Sequence, residues 1–542
     1  GVNRKINAGL TIAIIWLYAY MIGNPQSVLR ANIMFSLLLI SELWAEPYDS
    51  INSLFFALFV MMIINPFSIF STGLQLSFIA TFSIIYLTPK LEGLFYSYEG
   101  NIIKSMAGIF AVQLGLLPIQ AYYFNRISII AMIANLVLLP LFTIALILAM
   151  FLLALSSIST IIARSIGLII NLLLNIQLHG IGLFHGLPYI TLKVSSPSLI
   201  EILIYYIIIL ILFGILNIGS LDTKVSKSII FYILILIAIN SFFIATDNSI
   251  GIDFIDVGQG DSILLNTKGG YYLIDTGGNV FGNFDIGKNI LLPYLEKRGI
   301  FKIKGIFITH YDGDHCKSLP YLMDNSIIEN IYIGYKGQGN ELYDIINKKA
   351  IHKNIPIHIL SKGDILELDN NTRIIVLGPD ESLLRDSRIG ENDKSLVLLL
   401  NYYDKDFLFT GDIQKAGEDS LIKNLKVDID FLKVPHHGSK TSSSINFLES
   451  VKAEIGFISV GRNNSFGHPH REVIDRYKGM GIEIYRTDEL GLIDIKLDET
   501  NYRITPFMRD KRNIIYVVKN YGLIIDYIII YITVLYIMVR YY

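Results

Sequence analysis

The sequence predicts a multi-domain protein, a polytopic all-α membrane domain followed by an α/β domain. Three observations predict it. Charge is spread unevenly: residues 1–250 carry 10 Lys and Arg and 8 Asp and Glu, whereas residues 251–512 carry 33 and 38, a net charge of −5. Apolar runs long enough to cross a bilayer crowd the first half. Beyond residue 250, short apolar strands alternate with helical stretches, the pattern of a layered α/β protein. The expected divisions are 1–247, 248–512 and a terminal piece, 513–542.

In the first half the candidate spans are 10–23, 53–70, 72–88, 105–124, 141–157, 161–179, 198–217 and 228–246, with shorter runs at 32–45 and 127–140. Eight to ten helices follow, and a multi-pass position in the cell membrane. Glu42, Gln75, Gln113, Gln120, Asn135, Asn171 and Asn175 punctuate these runs. Such groups either tie neighbouring helices together or line a polar path, since they are costly in hydrocarbon. Pro66, Pro118 and Pro140 predict broken helices. Before the last run lie Lys224 and Lys227 against Asp222; after it comes Asp247, with no cation until Lys268. Positive-inside reasoning then places residue 227 in the cytoplasm and the soluble domain outside. The chain opens on Gly1 with no signal-peptide pattern, which leads to the expectation of a fragment lacking its true amino terminus. Its single cysteine, Cys316, excludes a disulfide framework and reads as a small buried residue.

The soluble half begins with strand, Gly-rich turn and strand over 251–265, and Tyr272-Leu-Ile-Asp275 repeats the strand-then-acid pattern. A helical stretch near 286–298 leads to Ile308-Thr-His310-Tyr-Asp312-Gly-Asp314-His315, two histidines and two aspartates within six positions just after a buried strand. Later come Gly411-Asp412, then Pro435-His436-His437-Gly-Ser, then Phe466-Gly-His468-Pro-His470. Six of the ten histidines lie in these segments. His352 and His358 have no companions and read as surface residues. Asp275 either caps a turn or touches metal.

The spacing favours two ions. On one loop His310 and Asp312 can face one way while Asp314 and His315 face another; Asp412 arrives from a distant strand to bridge, and His437 completes the second ion. Two ions about 3.5–4 Å apart can hold a hydroxide and stabilise both oxygens of an in-line displacement. That suits phosphodiester hydrolysis. Asp312 shifts the preference from Zn²⁺ toward harder ions such as Mn²⁺. The expected cofactors are two divalent ions, Mn²⁺ or Zn²⁺.

His310-x-Asp312-x-Asp314-His315, with Asp275, Gly411-Asp412 and His436-His437-Gly-Ser, resembles the metallo-β-lactamase fold, an αββα sandwich. That family's usual pattern is His-x-His-x-Asp-His, so Asp312 departs from it. No histidine between 316 and 410 fills the next ligand position; Asn392, Asp393 and Ser395 are the candidates. A closer resemblance is to the ComEC family of competence proteins, which join a polytopic channel to this fold. It rests on Asp256-Val-Gly-Gln-Gly-Asp261, Val434-Pro-His-His-Gly-Ser439, Phe466-Gly-His-Pro-His470, Leu74-Gln-Leu-Ser-Phe78 and Ala134-Asn-Leu-Val-Leu-Leu-Pro140. The family usually carries a further OB-like domain near its amino terminus, which this sequence lacks.

This resemblance implies uptake of transforming DNA, one strand passing a membrane channel while a metal-dependent nuclease degrades the other outside. His310, Asp312, Asp314, His315, Asp412 and His437 would hold the metals. His436, His468 and Asp314 would serve the chemistry, and Lys433, Lys440 and Arg462 would grip the DNA backbone. Asp261, Asp275 and Ser395 lie near the site with roles left open. DNA, membrane lipid, a DNA receptor and the uptake machinery are the implied partners, with oligomerisation open. Two other readings remain: a membrane-anchored metallo-phosphodiesterase for another substrate, and a channel with an inactive binding domain. The terminal run 522–539 reads as a span or a membrane-surface helix.

Overall fold

A computed structural model describes residues 4–94, 101–186, 191–213, 249–279, 284–423, 425 and 428–508. The chain divides into two compact units, a helical one within 1–238 and an α/β one over most of 239–542. The expected boundary at 247/248, the run 228–246 with its flanking charges, and the tail 513–542 lie outside the described residues.

The helical unit contains α1 (Arg4–Met21), α2 (Gln26–Trp44), α3 (Ser50–Ile64), α4 (Thr72–Leu94), α5 (Asn101–Phe124), α6 (Ala131–Leu155), α7 (Thr160–Gly186) and α8 (Leu199–Leu212). Among the described residues, five helices are long and apolar enough to cross a membrane, in α2, α4, α5, α6 and α7; α3 and α8 are shorter apolar helices. The ends follow capping chemistry. Asp49 accepts hydrogen bonds from the Ile51 and Asn52 amides to start α3. Ser198 and Glu201 form a reciprocal capping box on α8.

Two expectations about these helices change. The runs 127–140 and 141–157 are one helix, α6, which continues through Pro140, and α5 continues through Pro118. In apolar surroundings a helix is the way to satisfy the remaining backbone groups, so one lost amide does not break it. Pro66 does interrupt: it opens a 3₁₀ turn, Pro66–Phe70, whose first amide is capped by Asn65. The shorter run 32–45 belongs to the 19-residue α2. One of the punctuating amides ties two helices, Gln75 of α4 to Tyr123 of α5, while the Gln113 to Gln120 contact lies within α5. Gln75 donates to the Ile69 carbonyl and accepts from the Tyr123 hydroxyl, and Gln113 donates to Gln120.

The second unit is an αββα sandwich. One sheet has the order 357–359, 331–333, 305–308, 270–274, 263–267, 250–254, 493–497, 502–506; the other runs 365–369, 372–378, 397–402, 405–409, 431–433, 455–458, 483–486. The first is parallel across 357–359, 331–333, 305–308 and 270–274, the second across 405–409, 431–433, 455–458 and 483–486. Alternation along the strands explains the layers. Ile252, Phe254, Ile263 and Leu265 of one sheet meet Ile374, Leu398, Phe407, Phe431 and Phe457 of the other in a shared core. The outer faces are covered by helices: Leu264 and Ile306 pack with Leu295, Leu322 and Ile346, and Leu399 and Leu432 with Leu421, Phe447 and Tyr477.

Candidate metal centre

The parallel strands end side by side, and their carboxyl ends deliver the polar residues, where open α/β sheets commonly carry sites. Strand Gly270–Ile274 leads into Asp275, Gly305–Ile308 into His310, Lys405–Phe409 into Asp412, and Phe431–Lys433 into His437. Asp261 comes from the turn joining Ile250–Phe254 to Ile263–Thr267. Glycine is needed in two of these turns. Gly260 has φ +128°, and a Cβ there would lie 2.2 Å from the Asp314 carbonyl oxygen. Gly411 has φ +56°, and its Cβ would lie 2.7 Å from Ser395 Cβ. His436 and His437 adopt left-handed φ of 48° and 52°, strain of about 1–3 kcal/mol each that the surrounding packing must sustain.

Hydrogen bonding fixes three imidazoles in the same tautomer. His315 Nδ1 lies 2.7 Å from Asp275 Oδ2, and His437 Nδ1 lies 2.8 Å from the Ser459 carbonyl oxygen. Both partners only accept, so each Nδ1 carries the proton. The Thr309 hydroxyl gives its proton to Asp275 Oδ2 at 2.7 Å, and so accepts from His310 Nδ1 at 3.0 Å. All three histidines therefore turn Nε2 inward. These Nε2 atoms are buried and have no hydrogen-bond partner, and neither has Asp261 Oδ1. Asp412 Oδ2 lies 3.3 Å from His315 Nε2 and 3.2 Å from His437 Nε2, and Asp314 Oδ2 lies 3.6 Å from His437 Nε2. His310, His315 and Asp412 form one close donor group, and Asp314, His315 and His437 another. Buried, convergent imidazole nitrogens and carboxylate oxygens, each oriented by an outer partner, fit divalent metal.

The charges agree with that fit. Burial alone would depress His437, but Asp412, Asp261 and Asp314 overcome it and push it up to about 10. His315 is likewise raised against burial by Asp412 and Asp275. Asp412, despite burial, is held well below the usual carboxylate range by His437, His315 and Lys433.

Most of the residues expected at the site meet here, with corrections. Lys433 cannot grip a DNA backbone. It is 1% exposed, and its ammonium lies 2.5 Å from Asp261 Oδ2, 3.1 Å from Asp412 Oδ1 and 2.7 Å from the Gly411 carbonyl oxygen. Lys440 and Arg462 are exposed. Asp312 stands at the margin: its side chain is 47% exposed and reaches only to 3.6 Å from His310 Nε2. Asp393 is not placed as a ligand, because its Oδ1 accepts the amides of Gln414 and Gly417. Ser395 accepts from the Asp412 amide, donates to the Asn392 carbonyl and lies 3.4 Å from His310 Nδ1, so it braces ligands from behind. Asn392 Nδ2 faces His436 Nε2 at 3.4 Å. Asp275 spends its oxygens on Thr309 and His315. Of the two further histidines, His436 lies 4.0 Å from Asp412 Oδ2, while the His468 ring stacks on Phe466 and lies 5.6 Å from His436. Burial first, then His437, His436 and His470, push His468 down to about 4, which favours the neutral imidazole at pH 7. His352 is exposed in a last helical turn, and His358 pairs with Asn330. Cys316 is buried, its thiol pushed up by burial. The central place of Asp261, beside Lys433 and the histidines, was not legible beyond its nearness.

The fold and site define a membrane protein that carries a metallo-β-lactamase-type domain, the architecture of metal-dependent hydrolases. Residues 255–462 match the metallo-β-lactamase superfamily, and residues 1–217 match the Competence protein family. The chain is 28% identical over 514 residues to ComE operon protein 3 of Bacillus subtilis, covering 92% of this chain and 64% of that one. It is 29% identical over 256 residues to competence protein ComA of Neisseria gonorrhoeae, covering 46% of this chain and 33% of that one. With Recombination protein 2 of Haemophilus influenzae it shares 28% identity over 225 residues, 42% of this chain and 26% of that one. The chain thus spans less than two thirds of the length of each of these relatives. Both domains are thus matched in this order, a Competence protein segment followed by a metallo-β-lactamase domain, and along most of its length the chain is similar to a competence protein.

Proposed function

We propose that the chain serves DNA uptake across the cytoplasmic membrane in natural transformation. In this reading the helical domain conducts one strand, and the second domain, outside the cell, is a nuclease that degrades the other. The observation that carries it is the convergence of the buried Nε2 atoms of His310, His315 and His437 with Asp314 and Asp412, in a chain whose helices match the Competence protein family. His310, His315, His437, Asp314 and Asp412 would hold two divalent ions, Mn²⁺ or Zn²⁺, with Asp312 at the rim. Bound ions would supply Lewis-acid polarisation and a nucleophile at neutral pH.

The chain's own residues then have defined tasks. Asp275, Ser459 and Thr309 keep the ligand histidines in the Nδ1–H tautomer. Neutral His468 and partly exposed His436 stand beside the ligands as hydrogen-bond and proton-transfer groups. Exposed Lys440 and Arg462 would meet phosphates. The test uses the whole chain in lipid nanodiscs, loaded with Mn²⁺ or Zn²⁺ and checked by elemental analysis. DNA is cut, and His315→Ala and Asp412→Asn lose metal and cutting together. A loaded chain that leaves single- and double-stranded DNA intact overturns the nuclease reading.

One observation favours a second reading. With Lys433 buried, Lys440 and Arg462 remain of the expected backbone cations, in a region of net charge −5. A membrane-anchored phosphodiesterase for a smaller substrate needs less cationic grip. Normal DNA uptake by cells lacking the gene, with phosphodiesterase activity of the loaded chain intact, decides for it.

A further inference from the structure

Lys433 is a charged residue inside a strand whose three residues, Phe431, Leu432 and Lys433, are all buried. A buried ammonium is costly unless each proton finds an acceptor. Here all three do: Asp261 Oδ2 at 2.5 Å, Gly411 O at 2.7 Å and Asp412 Oδ1 at 3.1 Å. The arrangement divides the oxygens of Asp412. Oδ1 belongs to the ammonium, and Oδ2 alone faces His315 Nε2 and His437 Nε2, at 3.3 and 3.2 Å. The backbone that carries Asp412 is also tied, its amide donating to Ser395 Oγ at 3.2 Å. The carboxylate is thus held at Oδ1 by the ammonium, on a backbone held by Ser395.

Asp261 holds the other end of the clamp. Its Oδ2 is on Lys433, while Oδ1, buried and without a hydrogen-bond partner, lies 3.7 Å from His437 Nδ1. The turn that carries Asp261 is pinned to the ligand loop by its amide, which donates to the Asp314 carbonyl at 3.2 Å. Lys433 therefore links two loops that border the centre and a carboxylate that belongs to it.

We propose that Lys433 is a positioning residue, clamped by Asp261, which occupies one oxygen of Asp412 so that the ions meet that carboxylate through Oδ2 alone. The proposal rests on the reading of Asp412 as a metal ligand. It differs from a simple charge role in the sign of its consequence. A fixed cation beside divalent ions repels them, so if charge were its only contribution, removing it would tighten metal binding. If it positions Asp412, removing it frees the carboxylate to rotate, and binding weakens.

The experiment titrates Mn²⁺ into the whole chain in nanodiscs and follows free ion by its six-line electron paramagnetic resonance signal. The variants are Lys433→Met, and Lys433→Met combined with Asp261→Asn, in which the lost charges cancel and an unpaired buried carboxylate is avoided. Both are expected to bind Mn²⁺ about 10–100-fold more weakly than the parent, the usual cost of losing an outer partner of a metal ligand. Where the single variant does not fold, the double variant carries the test. Unchanged or tighter binding in Lys433→Met, or parental binding restored in the double variant, overturns the clamp and reduces Lys433 to a counter-charge. A parent chain that binds no Mn²⁺ or Zn²⁺ overturns instead the metal-centre reading on which it rests.

Discussion

With Nδ1 on the Ser459 carbonyl and Nε2 among carboxylates, His437 takes a proton wherever a metal does not claim the nitrogen. Burial opposes this, yet Asp412, Asp261 and Asp314 raise the group from 6.5 to about 10. In the metal-free protein the proton is present at pH 7, so an entering ion must displace it. Mn²⁺ affinity is therefore expected to rise as pH rises from 7 toward 10, by about tenfold per pH unit for each proton displaced. Titration calorimetry in buffers of different ionisation enthalpy reads the released protons directly; an affinity flat over that window contradicts the placement of His437. The same shift carries a stability consequence of opposite sense. A folded-state value above the unfolded one stabilises fully below 6.5, and that contribution is lost as pH rises through about 10. Asp312 and His315 make a second contrast. Asp312 is half-exposed and reaches only His310, whereas His315 is fully buried and touches both donor groups. Asp312→Ala is expected to weaken one of two ions and leave the other, while His315→Ala removes both; elemental analysis after dialysis distinguishes them. The ligand loop was legible in sequence because its residues lie within six positions. Lys433 lies inside rather than on a DNA-facing surface, and the sequence carries a signal for it: a lysine flanked by Phe431, Leu432 and Val434 in a buried strand has to find acceptors inside. Asp261 was harder, because its partners lie in distant segments and no local pattern specifies them.

At the scale of elements, the strand-then-acid pattern proved a good guide because each parallel strand delivers its next residues to one edge. The helical half was read less well. The length of the apolar runs locates the helices, but Pro118 and Pro140, which predict breaks, lie inside continuous helices. The enclosing medium, rather than local propensity, decides that outcome. The turn carrying Asp261 offers an element-level prediction. Gly260 combines φ +128° with a backbone oxygen 2.2 Å from where a Cβ would sit. Gly260→Ala therefore combines backbone strain with a clash and should cost about 2–5 kcal/mol, with weakened metal binding, because the clash displaces Asp314. Gly363 has φ +97° and nothing within 4 Å of its Cβ position, so Gly363→Ala should cost only the strain and leave metal binding unchanged. Equal losses in both, followed by thermal unfolding and Mn²⁺ titration, would show that the close approach at Gly260 contributes nothing.

For the whole molecule, the decisive quantity is the side of the membrane on which the second domain lies, since a nuclease for incoming DNA must meet it outside. The charges behind that expectation, Lys224, Lys227 and Asp247, are few, and the rule they invoke counts cations in short cytoplasmic loops. The chain provides a direct test. Its single cysteine, Cys316, is buried, so a cysteine placed at an exposed position is read against little background. Lys348 is exposed on the helix Glu341–Lys353. Lys348→Cys in intact cells is expected to react with a membrane-impermeant maleimide, and permeabilisation should add little. The parent chain, treated in the same way, should stay unlabelled until denatured. Labelling that requires permeabilisation would put the domain in the cytoplasm. The proposed nuclease would then act on the strand that enters rather than on the strand left behind, and the division of labour between channel and hydrolase would have to be redrawn.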